Sequence, residues 1–156
     1  GVAARGRDAL VCGGGGAARA AGWALGKEGA RAVRFTARTT ERAKKTAKDL
    51  GRCFPRTRFS AGACAPAEIW VNAPPLGMKG CPDRSPAPKF LPSPEAAVDL
   101  VYGRRTAFQR DAAARDARVV DGAPMLVFQA LRAWESWDRP FGAARRAKLA
   151  GPLLRL

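Results

Sequence analysis

The sequence predicts an α/β fold, a doubly wound and mostly parallel sheet with helices on both faces. Short apolar segments alternate with longer segments of helical pattern, which is typical of successive strand–helix units. A run of four glycines joins the first of these strands to the first helix. The composition, 47% hydrophobic and 26% charged over 156 residues, is that of a globular chain long enough to bury a core.

The first half of the chain is expected to contain three strands and two helices. In order they are strand 9–12, helix 17–27, strand 32–36, helix 41–50 and strand 54–59. Val33 and Phe35 lie two residues apart, so they are expected to share one face of the second strand. Thr39 or Thr40 is expected to cap the second helix, and Gly51 is expected to end it.

The second half is expected to contain three more strands and three helices. In order they are strand 68–72, a loop rich in proline and glycine over residues 73–94, strand 96–102, helix 106–117, strand 119–121, helix 125–137 and helix 143–154. Pro124 suits the first position of the fourth helix. Right-handed crossovers between parallel strands then give a Rossmann-like sheet. We expect one such domain over residues 1–141 and a helical tail over residues 142–156.

Composition and cysteine usage exclude several classes of protein. The chain has no histidine, which removes Ser–His–Asp and Cys–His catalysis. Its four cysteines form no C-x-x-C pair, so we expect neither a metal site nor disulfides, but free thiols of which at least two are buried. No apolar run approaches the roughly 18 residues that span a bilayer, and no signal peptide is visible. We therefore expect a cytoplasmic protein.

The chain is strongly basic, which points to an anionic partner. Its formal net charge is +15 and its sequence pI is about 11.1. A phosphorylated small molecule, an anionic lipid or a nucleic acid would each suit that charge. The basic residues are spread along the whole chain, and no RNA-binding motif with interleaved aromatic residues is present. A scattered basic surface without a specific partner is an equally open interpretation.

The glycine run carries a phosphate-binding pattern. It has the form Gly13-x-Gly15-x-x-Ala18 between a predicted strand and a predicted helix. Gly13 would permit the tight turn, Gly15 would let the backbone approach a pyrophosphate, and Ala18 would keep the helix close to the sheet. The helix N-terminus would offer free N–H groups and a partial positive charge. An ordinary flexible glycine turn is the alternative.

The end of the second strand favours NADP over NAD. A site for NAD carries an Asp or Glu about 20 residues after the glycines, where it binds the ribose 2′-hydroxyl. Here the strand ends in FTARTTERA, which brings Arg38 and no acidic residue to its tip. Arg38 can form a forked contact with a 2′-phosphate, Thr39 can add a hydroxyl, and Arg42 follows one helical turn later. For Arg42 a solvated helix position is the alternative.

Five motifs stand in a fixed order along the chain. They are CGGGGAARA, TARTTERA, VNAPPLGMKG, DLVYGRRT and DGAPMLVFQALRAWESW. In order and spacing they resemble the C-terminal, NADP-binding half of the shikimate dehydrogenase family, and the resemblance extends over nearly the whole chain. Many dehydrogenases share the glycine loop, whereas the last three motifs are much more specific. The chain's one asparagine, Asn72, and one tyrosine, Tyr102, both fall inside them.

The resemblance implies roles for four groups of residues. The pyrophosphate would bind at Gly13, Gly15, Gly16 and Ala17; the adenosine 2′-phosphate at Arg38, Thr39 and Arg42; the rest of the cofactor along Asn72 and residues 73–78 and near Gly122 and Met125; and the hydroxyls or carboxylate of the substrate at Tyr102 and Gln129. Packing roles are the alternatives for Met125, Tyr102 and Gln129. The family pattern has an asparagine where Ala37 stands and a threonine where Pro74 stands, so a hydroxyl and a backbone donor are missing there.

The resemblance also implies that the catalytic residues lie elsewhere. In the family a lysine and an aspartate act from an N-terminal substrate domain that this sequence does not contain, and we assign no catalytic residue to this chain. We expect the complete enzyme to reduce 3-dehydroshikimate to shikimate with NADPH, in aromatic amino-acid biosynthesis. The chain alone is expected to bind NADP(H) without turnover. The alternatives are a related enzyme for quinate or another ring acid, and a basic module that binds nucleic acid.

Overall fold

A computed structural model describes residues 3–137 and 142–153, which form one sheet flanked by helices. The strands are β1 (Asp8–Cys12), β2 (Ala32–Thr36), β3 (Arg58–Ala61), β4 (Ile69–Asn72), β5 (Ala96–Asp99) and β6 (Arg118–Val120). The helices are α1 (Gly16–Lys27), α2 (Thr40–Cys53), α3 (Ala107–Ala113), α4 (Ala123–Trp137) and α5 (Ala143–Leu153).

The six strands are all parallel and run in the order β3-β2-β1-β4-β5-β6. The chain builds outward from β1 to β3, then returns to the centre at β4 and builds outward to β6 on the other side. This reversal opens a crevice at the carboxyl ends of β1 and β4, the place where open α/β sheets bind ligands. The prediction of a doubly wound, Rossmann-like sheet is therefore confirmed.

Both faces of the sheet are packed, because successive residues of each strand point to opposite sides. On one face Val11 of β1 joins Phe35 of β2 in a core closed by α1 and α2. On the other face Leu10 of β1 joins Trp70 of β4 and Phe108 of α3. Helices therefore cover both faces of the sheet and hold the strand ends in fixed positions.

The close approach of α1 to the sheet depends on two small residues. Ala18 is 1% exposed and belongs to the core under this helix, as its predicted packing role requires. A Cβ atom on Gly22 would lie 2.5 Å from Cζ of Phe35 and 2.8 Å from Cδ1 of Leu50. Only a glycine therefore lets this turn of α1 lie against β2 and α2 without displacing their side chains.

The boundary between α2 and β3 differs from the sequence prediction. The helix continues past Gly51 to Cys53, with Phe54 as the C-cap residue, so the expected glycine termination is wrong. The N–H of Thr57 donates to the carbonyl of Phe54 (3.0 Å), which makes a turn where a strand was predicted over residues 54–59. Pro55 lies in this turn, where its missing N–H costs no sheet hydrogen bond.

The last strands and helices agree in order with the prediction and differ in their ends. β5 stops at Asp99, three residues before the predicted end, because its side chain accepts a hydrogen bond from the N–H of Val101 (3.0 Å) and turns the chain. α3 is shorter than predicted and is followed by Asp116 in the left-handed region (φ 59°). α4 begins two residues early, so Pro124 is its second residue. None of the described helices combines the length and apolar character needed to cross a bilayer.

Candidate functional site

A cavity of about 690 Å³ opens at the carboxyl ends of β1, β2 and β4. The turn after β1, the tip of β2 and the loop after β4 supply its walls. The lining residues are Cys12, Gly13, Gly14, Gly15, Thr36, Ala37, Arg38, Thr39, Arg42, Ala73, Pro74, Pro75, Leu76, Cys81, Pro82, Arg84, Ser85 and Pro86. The volume lies in the range of small-molecule and cofactor sites, and the position is the strand-order reversal described above.

The glycine turn forms the part of the cavity next to α1. Gly13 has a φ of 127°, which favours glycine, and its N–H donates to the carbonyl of Thr36 (2.7 Å). A Cβ on Gly14 would lie 3.1 Å from the backbone nitrogen of Ala43, so this glycine lets the turn pack against α2. Apart from Gly15 and its two chain neighbours, no heavy atom of the part of the chain that the structure describes lies within 4 Å of the position that a Cβ on Gly15 would take. That open space is available to a ligand.

No side-chain hydrogen bond caps the N-terminus of α1. Gly15 is the N-cap residue, in extended conformation, and there is no acidic residue in the first turn. Gly16 and Ala17 form that first turn and are exposed, although neither is among the residues that line the cavity. The first N–H groups and the positive end of the helix dipole are therefore open to an anion.

The tip of β2 brings a cationic cluster to the opposite wall. Arg38, Thr39 and Arg42 all line the cavity. Their positions in the sequence had suggested that they lie near one another. Thr39 is the N-cap of α2, but its side chain makes no capping hydrogen bond, which leaves the hydroxyl available. No aspartate or glutamate is found among the described residues that line the cavity. The wall can therefore attract an anion without competition from a carboxylate.

Asn72 lies at the end of β4 and is fully buried, outside the cavity lining. Its side-chain amide donates to Oδ1 of Asp99 (2.7 Å) and, less closely, to the carbonyl of Leu76 (3.4 Å). Its own Oδ1 is buried without a hydrogen-bond partner. The structure thus shows Asn72 fixing the start of the loop after β4, which carries Pro74 and its neighbours along the cavity.

A buried polar network centred on Asp99 supports this loop, and sequence reasoning missed it. Oδ2 of Asp99 accepts hydrogen bonds from the Thr106 hydroxyl and from Nε2 of Gln109 (3.1 Å), and Oδ1 accepts from Asn72 and from the N–H of Val101. Asp99 is completely buried. An aspartate inside an otherwise apolar strand was the signal in the sequence, since a carboxylate is buried only where donors surround it.

The remaining predicted residues lie outside the cavity lining, beyond β5 and β6. Gly122 donates its N–H to the carbonyl of Val101 (3.1 Å), and a Cβ there would lie 2.5 Å from the carbonyl oxygen of Leu100. Met125 (40% exposed) lies in the first turn of α4, and Gln129 is exposed one turn later on the same side of the helix. Tyr102 is 46% exposed in the segment after β5.

Two cysteines, Cys12 and Cys81, line the cavity. The four cysteines are free, and Cys12 is the only one that is buried, so the expectation of at least two buried thiols is wrong. Cys53 lies at the exposed end of α2, and the other two lie in loops of intermediate exposure. Burial, with a smaller contribution from Cys64, raises the pKa of Cys12 to about 12. Cys12 is therefore a neutral thiol at physiological pH.

The parallel sheet, the glycine turn and the cavity at the strand-order reversal define a Rossmann-like domain of the dinucleotide-binding class. No protein-family model matches the chain. The shikimate dehydrogenase (NADP(+)) of Methanothrix thermoacetophila is 37% identical over an alignment of 155 residues that covers 96% of this chain and 57% of that protein. The protein of the same name from Rubrobacter xylanophilus is 42% identical over an alignment of 159 residues that covers 94% of this chain and 55% of the relative.

Two solved structures share this fold over nearly the whole chain. The shikimate 5-dehydrogenase of Thermus thermophilus, in complex with NADP(H) and shikimate, is 33% identical with a TM-score of 0.75, covering 96% of this chain and 55% of that one. The ligand-free 5-ketofructose reductase of a Gluconobacter strain is 25% identical with a TM-score of 0.76, covering 99% and 58%. The chain is a homologue of the NADP-dependent shikimate dehydrogenases, and it spans about half the length of the curated relatives it matches.

Proposed function

We propose that this chain is the NADP(H)-binding part of a shikimate dehydrogenase. The observation that carries the proposal is the cavity itself, where a glycine turn at a helix N-terminus adjoins arginines and where the described lining residues include no carboxylate. Backbone N–H groups and arginines are the donors that phosphates prefer. The homology to enzymes whose name includes NADP(+) supports the choice of cofactor.

The glycine turn and the β2 tip would hold different parts of the cofactor. Gly13 and Gly15 would let the pyrophosphate approach the backbone, and the N–H groups of Gly16 and Ala17 would bind its oxygens. The 2′-phosphate would be bound by Arg38, Thr39 and Arg42, which line the wall of the cavity at the tip of β2. The absence of an acid among the described lining residues would favour NADPH over NADH, because a carboxylate there would repel the 2′-phosphate.

The other end of the cofactor and the substrate would lie beyond β5 and β6. We propose that Gly122 and Met125 lie near the nicotinamide and that Asn72 holds the loop along which the cofactor passes. Tyr102 and Gln129 would reach the substrate, a role for which their exposure leaves them available. The cofactor would supply the hydride, while these residues orient the reacting groups.

The complete enzyme would reduce 3-dehydroshikimate to shikimate with NADPH. We assign no catalytic residue to this chain, and we expect it to bind the cofactor without turnover. Quinate stays an alternative substrate. The relatives named above give no support to the nucleic-acid-binding alternative. The domain division at residue 142, between α4 and α5, and the cytoplasmic location stay predictions.

The proposal is tested by titrating the chain with NADPH and with NADH at moderate salt while nicotinamide fluorescence is followed. We expect saturable binding with one cofactor per chain and a clear preference for NADPH. The matched competitor is a single-stranded oligonucleotide. The proposed function is wrong if neither cofactor binds near millimolar concentration while the oligonucleotide binds with an affinity that falls steeply as the salt concentration rises. That result would support the alternative of a basic module that binds nucleic acid.

A further inference from the structure

Among the described residues that line the cavity from the loop after β4, the loop wall, Arg84 is the cation. This wall follows β4, whereas Arg38 and Arg42 line the cavity from the side of β2. Because β1 lies between β2 and β4 in the sheet, the glycine turn separates the two cationic groups. The cavity thus presents positive charge on both sides of the turn.

Arg84 is exposed, and its guanidinium has no partner within the part of the chain that the structure describes. No hydrogen bond or ion pair joins it to residues 3–137 or 142–153, although many other arginines of the chain are paired. A guanidinium has five N–H donors and no acceptor. All of its donors are therefore available to an anion inside the cavity.

The backbone of Arg84 is nevertheless fixed, because both of its neighbours are anchored to α3. Oδ1 of Asp83 accepts from the N–H of Ala107 at the start of α3 (2.7 Å), and Oδ2 accepts from Nη2 of Arg110 (2.9 Å). On the other side the hydroxyl of Ser85 donates to Oδ2 of Asp111 (2.9 Å). An unpaired cation on a backbone held at two points is suited to a ligand that arrives in a defined place.

The charge on each wall matches one anionic group of the cofactor. The tip of β2 is where Rossmann-like sites read the adenosine ribose, so Arg38 and Arg42 match the 2′-phosphate. The glycine turn offers the pyrophosphate backbone donors only, and Pro74 beside it has no N–H. We propose that Arg84 binds the pyrophosphate from the loop wall; this inference rests on the proposed function above.

The experiment separates the two phosphate groups with fragments of the cofactor. ADP carries a pyrophosphate without a 2′-phosphate, and 2′-AMP carries the reverse. Each fragment is titrated against bound NADPH, whose displacement is followed by fluorescence, in the wild-type chain, R84Q, R84K, R38Q and the control R56Q. Arg56 is exposed in the turn before β3 and does not line the cavity, so R56Q reports the general loss of one positive charge.

We expect R84Q to weaken ADP about tenfold and to leave 2′-AMP within about twofold of wild type, because one charge-assisted contact is lost. R38Q should give the reverse pattern, and R84K should recover part of the ADP affinity. If R84Q weakens 2′-AMP instead, or weakens ADP no more than R56Q does, the inference is wrong while the proposed function stands. If wild type binds neither NADPH nor either fragment, both are wrong.

Discussion

Replacing Asp99 by asparagine tests whether the buried network supports the loop wall of the cavity. Each carboxylate oxygen of Asp99 accepts two hydrogen bonds, from Asn72 and Val101 on one side and from Thr106 and Gln109 on the other. The asparagine amide nitrogen therefore faces two donors in either orientation. The side chain keeps its size, so the effect is one of hydrogen bonding and not of packing.

The expected loss of stability follows from the number of donors left without an acceptor. A buried donor without a partner costs roughly 1–3 kcal/mol, so two of them cost about 2–4 kcal/mol when some reorientation is allowed. That is a large share of the ~5–15 kcal/mol that stabilises a typical domain. With an m-value of about 2 kcal/mol/M, the urea midpoint of D99N should fall by about 1–2 M.

The assay is urea denaturation followed by tryptophan fluorescence, with D49N as the matched control. Asp49 pairs with Arg19 at the surface (2.9 Å), and an exposed pair of this kind contributes less than about 1 kcal/mol. D99N should also bind NADPH more weakly, because Asn72 and the loop that follows lose their anchor. A D99N midpoint equal to that of wild type would refute the account of the network.

Three further predictions follow from the packing and the titratable groups. G22A should destabilise the fold by about 1–3 kcal/mol in the same urea assay, since its Cβ would lie 2.5 Å from Cζ of Phe35; a stable G22A would show that α1 can move away at no cost. The hydrogen bond from Arg110 lowers the pKa of Asp83 from its ordinary value of 3.8. The Asp83 carboxylate therefore stabilises the folded chain fully above that ordinary value, and this contribution is lost as the pH falls through the lowered pKa. The melting temperature of D83N should therefore fall less than that of wild type on acidification below about pH 4, and parallel acid profiles would contradict this. An alkylating reagent at pH 8 should label Cys53 in the folded chain and Cys12 only in urea, and mass spectrometry that finds native Cys12 labelled as fast as Cys53 would contradict the burial.

The sheet was largely predictable because its central strands are short apolar runs, which the local sequence marks without reference to residues far along the chain. Val33 and Phe35 were expected to share one face of β2, and both are buried in the same core. β3 was misplaced because an edge strand is half exposed and has no apolar run to mark it; Phe59 is its one large apolar residue. Its position follows from pairing with β2, which the local sequence does not contain.

The site was predictable where it depends on local order and unpredictable where it depends on contacts between distant segments. Gly13, Gly15 and Arg38 follow directly from the ends of β1 and β2, and all three line the cavity. The place of Arg84 depends on the hydrogen bond between Asp83 and α3, across a proline-rich loop with no periodic pattern. Spacing along the sequence carries no information about that fold-back.

We propose that this cavity binds NADP(H) and selects it over NAD(H) by the 2′-phosphate. The most direct test is the ratio of the NADH and NADPH dissociation constants, measured by fluorescence titration at one ionic strength for wild type and R38Q. The account predicts a ratio well above one for wild type that falls toward one in R38Q, as NADPH binding weakens and NADH binding changes little. A wild-type ratio near one, or a ratio that R38Q leaves unchanged, would contradict the claim.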